Sequence, residues 1–180
     1  MTALASRCGP ALAAFASICL AISGGAHAHS ASDAYLTVTA ERSASGAVRI
    51  HGQWDIALRD LDFVLKLDDD GDGRLTWGEV RGHQAAIEQY VYRYLKLDGG
   101  SGNRCSIQPA RQMIDDHADG AYAALFFEAA CPRAARKVTL RYSLFFDIDP
   151  SHRGIFVMHD QSAIATALLS PRNAQVDLAF

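Results

Sequence analysis

Residues 34–40, Ala-Tyr-Leu-Thr-Val-Thr-Ala, and residues 47–54, Ala-Val-Arg-Ile-His-Gly-Gln-Trp, carry the pattern that decides the fold. In both segments β-branched, aromatic or other apolar residues alternate with polar ones, which is typical of half-buried strands. Residues 43–46 between them are rich in turn formers. The two segments therefore predict a β-hairpin at the start of the folded domain.

Further strand candidates follow in the second half of the chain, separated by turn residues. They are residues 106–114, 122–130, 137–147, 155–159, 163–169 and 175–180. With the opening hairpin they make about seven or eight short strands, the number expected of a β-sandwich. We therefore predict a mainly β fold in which a sandwich carries an α-helical insertion.

The insertion is predicted at about residues 57–97, where the periodicity changes from two to that of a helix. Apolar residues recur at helical spacing over 58–67 and again over 79–97, and a glycine-rich run at 99–102 ends the second stretch. Two helices joined by a short acidic loop are therefore expected to interrupt the strands.

The acidic loop, residues 68–79, reads Asp-Asp-Asp-Gly-Asp-Gly-Arg-Leu-Thr-Trp-Gly-Glu and matches the EF-hand calcium-binding pattern along its whole length. Gly73 stands at loop position 6, where a sharp turn favours a residue without Cβ. A solvated acidic turn without a ligand would explain neither this glycine nor the alternation of the acids. We therefore predict one EF-hand, a helix-loop-helix that binds Ca²⁺.

The predicted calcium ligands all offer oxygen atoms, as a hard cation requires. Three aspartates at loop positions 1, 3 and 5 supply carboxylates, position 7 supplies a backbone carbonyl, position 9 a hydroxyl or a bound water, and position 12 a bidentate carboxylate. These ligands are Asp68, Asp70, Asp72, Arg74, Thr76 and Glu79.

Two features indicate what kind of EF-hand this is. Residues 115–120 imitate the first half of a second loop, but their flanks have strand patterns, so we predict a turn there. His83 and Gln84 stand where a calcium sensor would place apolar residues for a target groove. We therefore expect calcium to be structural, or to stabilise an interface, rather than to open a groove.

Residues 1–28 have the composition of a secretory signal peptide. Arg7 is the only charged residue before Asp33, an apolar run extends over 11–23, and Ala-His-Ala at 26–28 ends on small residues. A membrane-spanning helix is disfavoured because such a helix needs about 20 apolar residues. We expect cleavage after Ala28, a single domain at 29–180 and a periplasmic or secreted location.

Export changes the composition that matters. The 152 residues from His29 onward carry 16 basic and 20 acidic side chains, a formal charge of −4, and keep two of the 4 cysteines. This balance gives no reason to expect nucleic acid as a partner, and no later segment is long and apolar enough to span a membrane. Cys105 and Cys131 predict one disulfide, although a pair of buried free thiols is the alternative.

Other polar residues leave alternatives open. His29 would become the new N-terminus, where its amine and imidazole together can chelate copper; a flexible terminus without metal is the other reading. Asp147, Asp149 and His152 could ligate a metal, but Asp-Pro and Arg-Gly more readily make a tight turn. No nucleophile with a suitably spaced base, phosphate loop or acid–base cluster is evident, so we predict a protein that is not an enzyme.

The chain resembles the exported N-terminal segment of the hydrogenase/urease accessory (HupE/UreJ-like) membrane permeases. The resemblance rests on His29, on residues 54–62, on the loop at 70–79 and on residues 142–154 with their Phe-Asp-x-Asp-x-x-His-Arg-Gly core. Those permeases continue into transmembrane helices proposed to move nickel or cobalt, whereas this chain stops at Phe180. The resemblance implies an accessory extracytoplasmic domain of a metal (nickel, cobalt or copper) transport system, partnering a membrane permease or another envelope protein, with its oligomeric state left open.

Overall fold

The computed structural model describes residues 32–100, 103–132, 137–159 and 164–178. The predicted signal peptide and His29 lie outside these residues. Within the described part of the chain, nine strands form two sheets and three short helices lie between the second and third strands. The prediction of a mainly β fold is confirmed at this level.

The strands and helices have the following bounds. The strands are β1 (Asp33–Arg42), β2 (Val48–Ala57), β3 (Leu95–Asp98), β4 (Ser106–His117), β5 (Gly120–Cys131), β6 (Val138–Tyr142), β7 (Arg153–His159), β8 (Ile164–Leu169) and β9 (Gln175–Leu178). The helices are α1 (Leu58–Leu65), α2 (Trp77–Gly82) and α3 (Gln84–Val91).

The predicted opening hairpin is the centre of the larger sheet. That sheet has six strands in the order β4-β5-β2-β1-β7-β8, and the smaller one has three in the order β3-β6-β9. Strand β1 pairs antiparallel with β2, so that Leu36 lies opposite Trp54, and pairs parallel with β7, so that Asp33 lies opposite Arg153. The parallel pair brings together segments about 120 residues apart in the chain.

The two sheets share one hydrophobic core. Trp54 of the larger sheet and Tyr142 of the smaller one are both buried, and their ring centroids lie 5.5 Å apart in an edge-to-face arrangement. Gly52 lies opposite Phe127, and a Cβ atom at Gly52 would fall 2.1 Å from the Phe127 ring. The ring therefore occupies the space that any other residue at position 52 would fill.

The helix predicted over residues 79–97 is wrong in its extent. The chain forms α2 and α3 with a break at His83, and α3 ends at Val91. Leu95 and Leu97 fit a helical stripe and a strand equally well; in the fold both are buried on one face of β3, opposite Tyr142 and Leu140 of β6. Pairing with β6 satisfies the backbone of this segment, so the strand is formed.

Two other boundaries distinguish the structure from the prediction. The strand predicted over 137–147 ends at Tyr142, and residues 144–148 form turns instead. The turn predicted at 115–120 is shorter than expected: residues 115–117 belong to β4, β5 begins at Gly120, and only residues 118–119 form the tight connection of the hairpin.

The predicted disulfide between Cys105 and Cys131 is confirmed. It joins the residue before β4 to the last residue of β5, and closing such a loop restricts the unfolded chain by about 3 kcal/mol. In the part of the chain that the structure describes, every helix is too short or too polar to cross a membrane.

Candidate functional site

The acidic loop lies between α1 and α2, and the side chain of Asp62 ends the first of these helices. Its Oδ1 accepts hydrogen bonds from the backbone N–H groups of Leu67 at 2.7 Å and Asp68 at 3.2 Å. Lys66 adopts a left-handed conformation with φ of 54°. The chain therefore leaves the helix sharply, and Asp68 begins the loop from a fixed position.

The first half of the loop folds around its own carboxylates. The two oxygens of Asp68 accept hydrogen bonds from the N–H groups of Gly71 and Gly73, each at 2.8 Å, and Asp72 Oδ1 accepts from the N–H of Arg74 at 2.7 Å. Gly71 and Gly73 have φ of 72° and 79°, in the left-handed region that favours glycine. The sharp turn expected at Gly73 is present.

Glu79 connects the end of the loop to its beginning. Its Oε2 accepts from the N–H of Thr76 at 2.8 Å and from the Thr76 hydroxyl at 2.7 Å, while Oε1 accepts from the N–H of Asp69 at 3.0 Å. The Thr76 oxygen in turn accepts from the N–H of Glu79, which completes a capping box at the start of α2. These hydrogen bonds, the one from the Thr76 hydroxyl above all, lower the pKa of Glu79.

Three of the six predicted ligands come together. Carboxylate oxygens of Asp68, Asp70 and Glu79 lie within 4.8 Å of one another. Asp72 lies outside this group. The Thr76 hydroxyl donates its hydrogen bond to Glu79, and Arg74 is exposed. Each carboxylate oxygen has lone pairs beyond those that the backbone uses, so the donor set suits a hard cation that takes six to eight oxygens.

A second cluster, which we call the His152 centre, joins Ser32, Asp60, Tyr142 and His152. The parallel register of β1 and β7 places Ser32 beside His152, and the N–H of Arg153 donates to the Ser32 carbonyl at 3.0 Å. His152 is fully buried. The centre was missed at the sequence level, because no local pattern links residues so far apart.

The His152 centre is a continuous chain of hydrogen bonds. Ser32 Oγ donates to Asp60 at 2.8 Å and lies 2.7 Å from His152 Nδ1, and the Tyr142 hydroxyl lies 2.6 Å from His152 Nε2. Burial lowers the pKa of His152 to about 4, so its ring is neutral at pH 7. Since the single Ser32 proton goes to Asp60, Nδ1 carries the imidazole hydrogen and Nε2 accepts from Tyr142.

This arrangement decides between the alternatives for residues 147–152. Both ring nitrogens of His152 are engaged within the fold, so this imidazole is not offered to a metal. Asp149 Oδ1 accepts from the N–H of Ser151 at 2.8 Å, as expected of an aspartate that stabilises a turn. The turn interpretation is confirmed for this segment.

A cavity of about 260 Å³ lies at the open end of the His152 centre. Its polar wall has a hydroxyl and two carboxylates, and its apolar wall has three large side chains; the lining residues are Ser32, Asp60, Phe63, Phe145, Ile148 and Asp149. Phe145 has a φ of 60°, which a bulky residue rarely adopts. The cavity suits a small cationic group better than an anionic one.

Comparison with known proteins finds no family model that matches this chain and no characterised protein with significant sequence similarity to it.

Proposed function

We propose that the protein is an exported calcium-binding protein in which one EF-hand, formed by α1, the loop at 68–79 and α2, holds a single Ca²⁺. The observation that carries the proposal is the approach of Asp68, Asp70 and Glu79 to within 4.8 Å. Three carboxylates at this distance repel one another unless a cation offsets their charge. The left-handed glycines at 71 and 73 support the same loop geometry.

A structural role for calcium follows from where its ligands are attached. Glu79 belongs to α2, whereas Asp68 follows directly on the end of α1, so one ion bound to both residues would fix the two helices relative to each other. The disulfide supports the extracytoplasmic location, because such bonds persist in oxidising compartments. We therefore infer that calcium stabilises the insertion or an interface built from it.

Calcium titration of chelator-treated protein tests the proposal. We expect saturable binding of one ion by calorimetry and a rise in the melting temperature. Glu79→Gln should weaken binding by about tenfold or more, because affinity follows the number of charged ligands. Asp69→Asn is the matched control: Asp69 is an exposed acid of the same loop, its side chain faces His83 at 2.9 Å, and it is not a predicted ligand.

Equal losses of calcium affinity in Glu79→Gln and Asp69→Asn would mean that the negative charge of the loop attracts cations without a specific ligand set. No binding at millimolar calcium would overturn the proposal.

A second candidate function is an accessory domain for a membrane metal permease, as the resemblance to HupE/UreJ-like proteins implies. The observation in its favour is that Ser32 lies in the wall of a cavity together with Asp60 and Asp149. Carboxylates in a cavity wall can bind a cation, and cleavage after Ala28 would make His29 the N-terminal residue, whose amine and imidazole together can chelate a transition metal.

Nickel and copper titrations of protein starting at His29 test this second function. A His29→Ala variant should lose affinity for these ions and keep its affinity for calcium. Unchanged nickel and copper binding in that variant would rule out this second function and leave calcium binding as the proposed function.

A further inference from the structure

A third group of polar side chains lies on the outer face of the six-stranded sheet, away from the shared core. Ligand atoms of Asp55, Asp115 and His117 lie within 4.8 Å of one another. Asp55 belongs to β2, the other two residues belong to β4, and β5 runs between those strands with Ala124 directly opposite Asp55. A small residue on the middle strand leaves room for the flanking side chains to meet.

An irregularity in β4 turns two of these residues outward. On the N-terminal side of this irregularity, Gln108 lies opposite Glu128 of β5, which in turn lies opposite His51 of β2. His51 is exposed on the outer face of the sheet. The register shifts by one residue between Pro109 and Arg111, after which Asp115 and His117 occupy the outer face. Since facing alternates with every residue along a strand, Asp115 and His117 would otherwise point toward the core. Bulges of this kind re-aim side chains and are frequent beside functional sites.

Two of the three side chains are held in place by contacts outside the group. Gln53 Nε2 donates to both carboxylate oxygens of Asp55, at 2.9 and 3.1 Å. The His117 ring stacks on Tyr122 with centroids 4.1 Å apart and contacts Tyr35 at 5.0 Å. Outer contacts that orient a carboxylate and an imidazole are typical of metal sites, where they fix the ligands before the ion arrives.

An ion pair between His117 and Asp55 accounts for only two of the three side chains in this group. His117 Nε2 lies 3.7 Å from Asp55 Oδ2, which is too long for a hydrogen bond. Asp55 is only 8% exposed, and a second carboxylate lies beside it. Bonds of about 2.0–2.2 Å from one ion to two ligands allow those ligands to be up to about 4.4 Å apart, so small side-chain rotations would close the site.

We propose that Asp55, Asp115 and His117 form a binding site for a divalent transition metal ion, Zn²⁺ being the representative probe, separate from the acidic loop. Imidazole nitrogen with carboxylate oxygens suits zinc and its neighbours in the first transition row. Calcium prefers oxygen ligands only, and more of them. Asp115 is exposed, so solvent or a partner can fill the remaining coordination positions.

Zinc calorimetry and Co²⁺ absorption on the protein that starts at residue 29 test the proposal. Saturating calcium is present, and every sample carries His29→Ala to remove the N-terminal imidazole. We expect one zinc ion to bind. His117→Ala and Asp115→Asn should each weaken binding by at least about tenfold. Loss of a residue that only supports a metal ligand already costs about that much, and a ligand should cost no less. Asp115 is exposed, so its variant tests the site without disturbing the core.

His51→Ala is the matched control. His51 lies on the same sheet face with a single carboxylate, Glu128, at 3.8 Å, and its loss should leave zinc affinity unchanged. Glu79→Gln should also leave it unchanged. Zinc binding that survives His117→Ala, or that disappears with Glu79→Gln, overturns the proposal, as does an absence of binding at millimolar zinc. None of these outcomes depends on whether the loop binds calcium.

Discussion

The acidic loop and the His152 centre both bring polar side chains together, but the loop does so with residues close in sequence and the centre with residues far apart in sequence. The loop draws its carboxylates from twelve consecutive residues, which are mostly exposed, and most of its hydrogen bonds join residues no more than five apart. The His152 centre joins Ser32 to His152 across 120 residues, and its His152 and Tyr142 side chains are buried. One is built by local chain geometry, and the other exists only once β1 and β7 have paired.

This difference predicts where free energy is stored. Exposed groups of the loop exchange hydrogen bonds with water at little net gain, so without calcium the loop should contribute little to global stability. The buried Tyr142 and His152 side chains have no water to replace a lost partner, and leaving one of them unsatisfied costs about 1–3 kcal/mol. Substitutions in the two regions should therefore differ in size and in their dependence on calcium.

His152→Ala should have the largest effect. It leaves a cavity beside Phe145 and removes the hydrogen-bond partner of the buried Tyr142 hydroxyl. We therefore expect a loss of about 4 kcal/mol in the free energy of unfolding. For a chain of this size the melting temperature should fall by about 12 °C. His51→Ala, at an exposed histidine, is the control and should stay within about 0.5 kcal/mol. A similar small change for His152 would contradict the comparison.

The second prediction concerns pH and follows from the lowered pKa of His152, about 4 in the folded protein. In the unfolded chain this imidazole binds a proton below about pH 6.5. Between these values the unfolded state holds more protons, so stability is complete above pH 6.5 and is lost as the pH falls toward 4. The wild-type protein should lose about 3 kcal/mol over this interval.

Denaturant unfolding at pH 7.0, 6.0, 5.0 and 4.5 measures this loss. The groups that act on the His152 charge are Asp149, which favours it, and Arg153, which opposes it. Burial raises the pKa of the Asp55 and Asp60 carboxyls, so these groups change the stability in the opposite direction as the pH falls, and only the comparison with a variant isolates the contribution of the imidazole. His152→Gln removes the titrating group and should flatten the profile between pH 6.5 and 4.5; an unchanged slope in that variant would assign the loss to other residues.

The same contrast explains what could be predicted from the sequence. The sharp turn at Gly73 could be predicted because the acids and glycines have a fixed spacing within one segment, and the bond between Cys105 and Cys131 could be predicted because exported cysteines favour pairing. The alternation over 34–40 and 47–54 was sufficient to locate the central hairpin.

What could not be predicted depends on pairing between distant strands. The sequence predicts helix where β3 forms because Leu95 and Leu97 satisfy both periodicities, and only pairing with β6 decides between the two structures. The irregularity after Pro109 is invisible until β5 sets the register, yet it determines which face Asp115 and His117 occupy. A sequence pattern gives the hydrophobic periodicity of one segment, whereas these features depend on which strand that segment pairs with and in which register.

The third prediction tests packing in the larger sheet against packing in the insertion. Gly52→Ala would place a Cβ atom 2.1 Å from the Phe127 ring, and such overpacking should cost about 2 kcal/mol. Gly82→Ala is the same substitution at the end of α2, where a Cβ atom meets nothing within 4 Å. Thermal melting should show a fall for the first variant and no fall for the second. Equal falls would show that the insertion is packed as tightly as the sheet.

The smallest expected effect lies in the loop itself. Thr76→Ala removes the side-chain oxygen that caps α2 and the hydroxyl that donates to Glu79. Loss of such a cap costs about 1 kcal/mol, so without calcium the melting temperature should fall by about 3 °C. Thr76→Ser keeps the capping oxygen and should melt within about 1 °C of the wild type, because serine is as good a cap. A calcium-free loss in Thr76→Ala as large as that in His152→Ala would mean that the loop and the core unfold as one cooperative unit, and the division between local and long-range polar groups would then fail.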